Sequence, residues 1–306
     1  MKISIIVPSY GRPRTLDDFL KSLKKSLLKD VDFQIIAVVN DDNKKNIQDY
    51  LNVLKNRNIL GLCPVVFSKK LGSVGARNEG IKRAKGDIIF FFDDDTEIIP
   101  DYFKKIIPLF KENNVGAVGG AEIKKKRSSK FHSIWFSIRK TGAVTKDGDI
   151  ISNYFYDKKN KEILEVDTLH GSNFGVSKEA LKKVKFWDKN FYGIYRDESD
   201  FTYRIKKGGY KLLFIPQTGV IHKETIQGGN IPPQKKKQWA YWYFRNTSYF
   251  FFKNVYDGNP PYVFLFLFRE LIYNSLKAII YKNLYFITQY PKLFEGYLLA
   301  IKNRGK

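Results

Sequence analysis

The chain has 306 residues, of which 43% are hydrophobic and 16% aromatic, so it is long and apolar enough to bury a full core and is not a disordered polymer. Its 54 Lys and Arg against 31 Asp and Glu give a formal net charge of +23, which favours anionic partners but is also compatible with a solvated surface. The single cysteine, Cys63, excludes an internal disulfide and a multi-cysteine metal site, and it fits a reducing compartment.

The apolar stretches predict neither a signal peptide nor a membrane span. The first apolar run is short and is followed by Pro8 and Arg12, which predicts a first strand. No stretch reaches the roughly 20 uninterrupted apolar residues that a span needs. The nearest, residues 262–281, contains charged and polar side chains and predicts a buried or interfacial helix. We therefore expect a cytoplasmic protein, with peripheral attachment to the inner face of the cell membrane as an alternative.

Strand and helix patterns alternate through the first 120 residues. Short apolar runs predict strands at residues 3–7, 33–39, 64–67, 88–92 and 116–120, and apolar residues at helical spacing lie between them. This alternation predicts an α/β fold with a mostly parallel central sheet flanked by helices. Residues 123–167 predict insertions and short strands, with a turn at "TKDGD". A helix is predicted at residues 198–207 and a strand at 211–215, with Gly208 and Gly209 stopping the helix.

Acidic residues follow two of the predicted strands. Asp93, Asp94 and Asp95 follow the strand at 88–92, and Asp41 and Asp42 follow the strand at 33–39. Two carboxylates about 4 Å apart repel by roughly 4 kcal/mol at an effective dielectric of about 20, so a cation or hydrogen-bond donors are expected among them. Ligands in such sheets bind beyond the carboxyl ends of the strands, and Mg²⁺ or Mn²⁺ takes carboxylate oxygens there.

Two other interpretations of the acids and the nearby glycines are weaker. A phosphatase of the haloacid-dehalogenase type also has D-x-D after a strand, but Glu97 occupies the position where it needs Thr or Val. The stretch "KLGSVGARNEG" has no GK[ST] and is therefore not a P-loop. It predicts a helix start from which Arg77 and Asn78 reach a ribose or a diphosphate.

Five segments occur in an order that carries a family resemblance. "SIIVPSYGRPRTL", "VVNDDN", "GSVGARNEGIKRAKGDIIFFFDDDTEIIPDYF", "HGSNFGVSKEAL" and "RDESDFTYRIKKGGYKL" together resemble the family-two glycosyltransferases of the GT-A fold, which use nucleotide-diphospho-sugars. The resemblance covers residues 3–222. It implies a Rossmann-like sheet and transfer of a sugar from a UDP-, GDP- or TDP-linked donor to a glycan or lipid-linked acceptor.

The resemblance also implies roles on the donor side. Pro8, Tyr10 and Arg12 would border the nucleotide base. Asp41 would contact the base, with Asp42 as the alternative because the family's usual D-D-G-S is replaced by "NDDN". Asp93 and Asp94 would face the ribose and the sugar. The metal ligands would be Asp95, as the principal one, with Asp93 and His222.

On the acceptor side, the family commonly has an E-D-x-D element at a helix start. It reads "DESD" here, so Glu198 takes the position of the general base that accepts the proton of the acceptor hydroxyl, and Asp197 flanks it. Which of these two acids is the base stays open. We expect Asp200 to pair with Arg204 instead. Residues 170–173 resemble the segment that lines the acceptor and sugar pocket, where Gly171 permits a close approach of the backbone.

We thus expect an inverting glycosyltransferase of polysaccharide biosynthesis with a GT-A domain at residues 1–225. Residues 1–122 would form its nucleotide-binding half and residues 123–225 its acceptor-binding half, and residues 226–306 would form an aromatic-rich helical extension. The aromatic stretch from residue 238 is expected either in a core or on an anionic membrane surface. The alternatives are a sugar-phosphate nucleotidyltransferase and a basic protein that binds nucleic acid or membrane, although no specific nucleic-acid motif is present. His132 has no assigned role.

Overall fold

The computed structural model describes residues 1–57, 59–124, 141–159, 162–192, 195–223, 236–280 and 284–303. The strands are β1 (Lys2–Ser9), β2 (Asp32–Asn40), β3 (Val65–Phe67), β4 (Ile88–Phe92), β5 (Thr96–Ile98), β6 (Val115–Lys124), β7 (Leu164–Val166), β8 (Asn173–Ser177) and β9 (Lys211–His222). The α-helices are α1 (Pro13–Ser26), α2 (Lys44–Asn56), α3 (Gly72–Ile81), α4 (Tyr102–Ile106), α5 (Lys178–Val184), α6 (Asp197–Lys207), α7 (Lys236–Phe250), α8 (Pro260–Leu267), α9 (Asn274–Ile280) and α10 (Pro291–Lys302).

The strands form one sheet in the order β3-β2-β1-β4-β8-β6-β9-β5, and β7 pairs with β9. Strands β3, β2, β1 and β4 are parallel, as the alternating pattern predicts. The other half is mixed, because β8 runs antiparallel to both of its neighbours, β4 and β6. Strands β7 and β5 also run antiparallel to β9, whereas β6 and β9 are parallel. The predicted α/β class is therefore confirmed, with parallel pairing concentrated in the first half of the sheet.

Both faces of the sheet are covered. Ile3, Ile5 and Val7 of β1 are buried on one face with α1, whereas Ile6 is buried on the other face with α3. The same alternation separates Phe90 from Phe91 in β4. Because successive side chains of a strand point to opposite faces, a run that is apolar throughout is buried on both faces of the sheet. Because β3, β2, β1 and β4 run in the same direction, their carboxyl ends lie at one edge of the sheet, and the candidate site lies at that edge.

Several predicted boundaries agree with the observed ones, but β6 and β9 extend beyond their predicted ends at residues 120 and 215, to Lys124 and His222. Strand β4 has the predicted bounds, and α6 begins one residue before the predicted start. Gly208 caps α6 and Gly209 has φ +93°, as a glycine stop requires. The "TKDGD" turn is also confirmed, with Gly148 at φ +78° between the paired residues Val144 and Ile150. Strands β5 and β8 were not predicted, and His132 lies outside the described residues.

The helices after residue 236 have a buried and an exposed part. Phe244, Tyr249, Phe250 and Phe251 are fully buried, so the aromatic stretch beginning near residue 238 packs mainly in a core. Further along, residues 264–301, which we call the apolar segment, carry thirteen of the 22 exposed large apolar side chains among the described residues. The predicted helix at 262–281 consists of α8, a π-helical stretch and α9. Among the described residues, no helix combines the length and the apolar character needed to cross a membrane.

Candidate active site

The loops that follow β1, β2 and β4 bring the predicted donor-side residues to one edge of the sheet. Asp94 is buried and accepts hydrogen bonds from the Ser9 hydroxyl and the Arg12 guanidinium. The same guanidinium donates to Asp95 over 2.6 Å. Burial raises the pKa of Asp94 to about 7 although the Arg12 charge opposes the shift. Arg12 therefore lies against the acids in this structure and compensates part of their repulsion.

A second cationic group near the acids is His222, at the end of β9. Its Nε2 lies 3.2 Å from Asp95 Oδ1, and its Nδ1 contacts the carboxylate of Glu122. Burial alone would raise the pKa of Asp95, but His222 and Arg12 lower it to about 2. Burial alone would lower the pKa of His222, but hydrogen bonds to Asp95 and Glu122 raise it to about 10. Asp95 and His222 thus form an ion pair.

The third acid is linked to the acceptor side. Arg77 lies in α3 with a side chain only 6% exposed, and it donates to Asp93 over 2.8 Å and to Asp197 over 3.2 Å. Its guanidinium also lies 4.5 Å from the ring centroid of Trp187. Buried Arg that bridges two carboxylates is held strongly in place. Arg77 therefore joins the end of β4 to the start of α6.

The three predicted metal ligands lie close together. Asp93, Asp95 and His222 each offer one ligand atom, and these atoms all lie within 4.8 Å of one another. Two carboxylate oxygens and one imidazole nitrogen suit Mn²⁺, and the carboxylates also suit Mg²⁺. The cationic groups Arg77, Arg12 and His222 lie around Asp93 and Asp95 and compensate their charge. We call Asp93, Asp95 and His222 the metal cluster, and its residues fit a divalent ion.

The loop after β2 distinguishes the two acids that were alternatives for the base contact. The carboxylate of Asp41 is buried and accepts hydrogen bonds from Gly11 N, Asn43 N and Asn46 Nδ2 at 2.8–3.1 Å. Asp42 is exposed, and its Oδ1 lies 3.5 Å from the hydroxyl of Tyr10. Asp41 thus holds the loop together, whereas Asp42 and Tyr10 remain accessible to a ligand. Pro8 is buried within β1.

Asn78 has a structural partner. Its Nδ2 donates to Trp187 O and its Oδ1 accepts from Trp187 N, each over 2.9 Å. Its side chain is therefore committed to the backbone of a segment 109 residues away, and it is only 2% exposed. Of the two α3 residues predicted to reach the nucleotide, Arg77 lies at the acids, and Asn78 fixes the loop before α6.

The two candidate bases open α6. Asp197 is buried, and Glu198 is partly exposed and packs against Gly171. A Cβ atom added at Gly171 would lie 3.1 Å from Glu198 Cβ, a tight contact that would push Glu198 away by a few tenths of an ångström. Burial raises the pKa of Asp197 well above its usual range, and the neighbouring Glu198 raises it further while Arg77 opposes the shift. Asp197 is buried away from an incoming acceptor, and Glu198 is the accessible carboxylate of the pair.

Asp200 has the structural role expected of it. Arg204 Nε donates to Asp200 Oδ2 over 2.9 Å, one helical turn further along α6. Lys253 and Asn254 bind the other oxygen of Asp200. The predicted pairing is confirmed, and Asp200 also attaches α6 to the C-terminal helices.

Sequence reasoning missed two residues of the site. Ser9 binds the buried Asp94, and Glu122 lies between His222 and His170, whose Nε2 is 3.3 Å from Glu122 Oε2. Ser9 lies at the carboxyl end of β1, the position where ligands are expected, so strand position alone identifies it as a candidate. Glu122 follows an apolar run within β6, and nothing in its local pattern indicates its histidine partners.

Comparison with known proteins places these features in a family. The sequence profile described as glycosyl transferase family 2 matches residues 4–185. A Campylobacter jejuni GalNAc(5)-diNAcBac-PP-undecaprenol beta-1,3-glucosyltransferase is 22% identical over 66% of this chain and 62% of its own length. A Staphylococcus aureus poly(ribitol-phosphate) beta-N-acetylglucosaminyltransferase is 26% identical over 51% of this chain. The chain spans 62% and 46% of the lengths of these two relatives.

The fold has solved counterparts. A mannosyltransferase from Pyrobaculum calidifontis, solved in complex with GDP-Man and Mn²⁺, superposes with a TM-score of 0.61 over 99% of this chain and 87% of its own, at 15% identity. The predicted GT-A fold is confirmed by such neighbours. The profile match covers more than half of the chain and includes the acids after β2 and β4. The chain therefore belongs to glycosyl transferase family 2.

Proposed function

We propose that the protein is an inverting glycosyltransferase that moves a sugar from a nucleotide-diphospho-sugar to a hydroxyl group of a glycan or lipid-linked acceptor. One observation supports this above all: Arg77 links Asp93 of the metal cluster to Asp197, the neighbour of Glu198. The arrangement sets a cation site for a diphosphate beside a carboxylate that can accept a proton. That pair of groups is what sugar transfer to a hydroxyl requires.

On the donor side, the metal cluster would hold Mn²⁺ or Mg²⁺. The bound ion would neutralise negative charge on the departing nucleoside diphosphate. Tyr10 and Asp42 are accessible beside the β1 and β2 ends, and we assign the nucleotide base to them. The donor would be UDP-, GDP- or TDP-linked, and the solved mannosyltransferase of the same fold, in complex with GDP-Man and Mn²⁺, supports a nucleotide-sugar donor.

On the acceptor side, we assign the general base to Glu198. The acceptor oxygen attacks the anomeric carbon while its proton passes to the Glu198 carboxylate, and the bond between the anomeric carbon and the diphosphate oxygen breaks. The nucleoside diphosphate leaves, and attack from the opposite side inverts the anomeric configuration. Asp197, whose pKa burial raises, lies buried beside Glu198 and helps to position it.

The relatives support an acceptor that bears phosphate. The names of the two curated relatives contain an undecaprenol diphosphate and a poly(ribitol-phosphate). We therefore place the protein in polysaccharide biosynthesis at the cytoplasmic face of a membrane. The alternatives of a nucleotidyltransferase and a nucleic-acid binder have no comparable support from the family match.

The apolar segment supports a membrane surface as a partner. Its exposed side chains include Phe264 at 69%, Ile280 at 72% and Phe294 at 62% exposure. Residues 260–306 contain seven Lys or Arg against two Glu, which complements anionic lipid headgroups. We assign the surface of an anionic bilayer to this segment as its partner.

Transfer and donor hydrolysis assays test the function. The wild type, with Mn²⁺ and each of UDP-, GDP- and TDP-sugars, should release nucleoside diphosphate with at least one donor. Asp95→Asn should abolish release and stay folded. Asp32→Asn makes the same change at an exposed residue that begins β2, at the end of the strand away from the site. This variant should release nucleoside diphosphate like the wild type. Pyrophosphate release from a nucleoside triphosphate, or full activity of Asp95→Asn, would overturn the proposal.

A further inference from the structure

Arg196 is a buried cation whose guanidinium is not bonded to any acid among the described residues. It immediately precedes Asp197 and is only 5% exposed. No described residue forms a hydrogen bond or salt bridge with its guanidinium, and its Nε is a buried donor without an acceptor. The charge of Arg196 lowers the pKa of the buried Glu270, so these two groups interact without a direct bond. A buried guanidinium whose N–H groups lack acceptors is unfavourable, so an anionic group that accepts hydrogen bonds from them is expected to complete this environment.

Other buried arginines near the site are paired. Arg77 binds two carboxylates, and Arg269 binds Asp147 and Glu270. Glu270, a fully buried acid of this region, is bonded to Arg269 and Asn274. Arg196 contacts aromatic rings instead, with its guanidinium carbon 4.8 Å from the ring centroid of Tyr195 and 5.7 Å from that of Phe250. Rings leave the in-plane N–H groups of a guanidinium available for an anion.

The backbone at Arg196 is also unusual. Tyr195 has φ +79° and Arg196 has φ +70°, so two successive residues other than glycine lie in the left-handed region. Such residues are uncommon and strained, and they concentrate at functional sites. Glycine would adopt this conformation without strain, yet the chain has arginine here. The conformation is anchored because Arg196 O accepts a hydrogen bond from Asp200 N over 2.9 Å.

Arg196 lies on the acceptor side, near the proposed base. Burial raises the pKa of the Tyr154 hydroxyl, Glu198 raises it further and Arg196 lowers it, so both charges lie near this hydroxyl. Tyr154 in turn packs edge-on against His170, at a centroid distance of 6.0 Å. The donor diphosphate would be held by the metal cluster with Arg12 and Arg77. The contact with Phe250 instead places Arg196 against the C-terminal helices.

We infer that Arg196 binds a phosphate or diphosphate group of the acceptor, and thereby positions the acceptor hydroxyl at Glu198. This inference rests on the proposed function and defines its acceptor class. A guanidinium donates two parallel hydrogen bonds to phosphate oxygens, which gives both charge compensation and orientation. The phosphate could belong to a lipid phosphate or to a polyol-phosphate chain, and the experiment separates these sources.

Calorimetric titration of the full chain, saturated with the nucleoside diphosphate that it binds and Mn²⁺, tests the inference. The probes are geranyl phosphate for the lipid source and glycerol 3-phosphate for the polyol source. Wild type should bind at least one, and the preferred probe identifies the source. Arg196→Gly should weaken that binding about tenfold or more, and Arg196→Lys should weaken it less. Arg196→Gly should melt at or above the wild-type temperature because glycine relieves the strain.

Lys185→Gly is the matched control, because Lys185 is also a cation with positive φ, at 61°, but caps α5. It should bind both probes like wild type. The inference is overturned if wild type binds neither probe, if Arg196→Gly binds them normally, or if Lys185→Gly loses them equally. A marked fall in melting temperature of Arg196→Gly with normal probe binding would make Arg196 a structural residue. Nucleotide and Mn²⁺ binding, measured first, reports separately on the proposed function.

Discussion

The imidazole of His222 lies 3.2 Å from the carboxylate of Asp95, and its other ring nitrogen is bonded to Glu122. Glu122 therefore fixes the ring so that Nε2 faces Asp95, the neighbouring ligand of the metal cluster. Such an outer carboxylate orients a metal-binding histidine and increases its basicity. The two acids raise the pKa of His222 to about 10, so the ring is protonated at neutral pH before a metal binds.

Metal binding should therefore release a proton. Because Mn²⁺ must displace the proton on His222, its affinity should increase as the pH rises from roughly 6 to 9. Calorimetric titration of Mn²⁺ in buffers with different ionisation enthalpies measures the released proton. His222→Asn should release less, and Glu122→Gln should weaken Mn²⁺ binding about tenfold or more. An affinity that does not change with pH in the wild type would contradict this assignment.

Asp197 should make stability depend on pH. Its pKa is raised in the folded state, so above about pH 4 the native protein binds more protons at this residue than the unfolded chain does. The contribution of Asp197 to stability is then greatest at low pH and is lost as the pH rises toward the folded-state pKa. Asp197→Asn stays neutral throughout. Its melting temperature minus that of wild type should increase as the pH rises above about 4, whereas a difference that shrinks would refute the prediction.

Asn78 should contribute to stability more than to nucleotide binding. Asn78→Ala removes both hydrogen bonds to Trp187 and leaves two buried backbone groups unpaired, at about 1–3 kcal/mol for each group. Urea denaturation measures the loss in the free energy of unfolding. Asn52→Ala, at an exposed position of α2, should change it by less than about 0.5 kcal/mol. A raised KM for the donor in Asn78→Ala, with normal stability, would instead favour a nucleotide contact.

The apolar segment should bind anionic vesicles. Phe264→Ser combined with Ile280→Ser removes two side chains that are 69% and 72% exposed, so we expect weaker vesicle binding at unchanged stability. Co-sedimentation with phosphatidylglycerol and phosphatidylcholine vesicles, at low and high salt, measures the binding. Leu60→Ser, at a 92% exposed position far from the segment in sequence, is the control. Equal binding by the double variant and wild type would exclude this surface.

Local patterns predicted much of the architecture. Buried strands such as β1 and β4 were recognised because their apolar runs are short and continuous, and α6 because glycines end it. The acids after β2 and β4 were recognised because strand ends of a parallel sheet share one edge. Strands β5 and β8 were missed because each is short and lacks a distinctive run, so only pairing with β9 or β4 makes it a strand.

The sequence by itself determined the α/β class, the family and the acids at the edge of the sheet, because apolar periodicity and motif spacing are properties of neighbouring residues. Only the tertiary structure decided the partners of those residues. In the folded chain, Asn78 is bonded to Trp187, Glu122 lies between two histidines, and the buried Arg196 guanidinium is not bonded to any described acid. Hydrogen bonds and burial depend on distances between segments far apart in the chain, and local composition does not encode those distances.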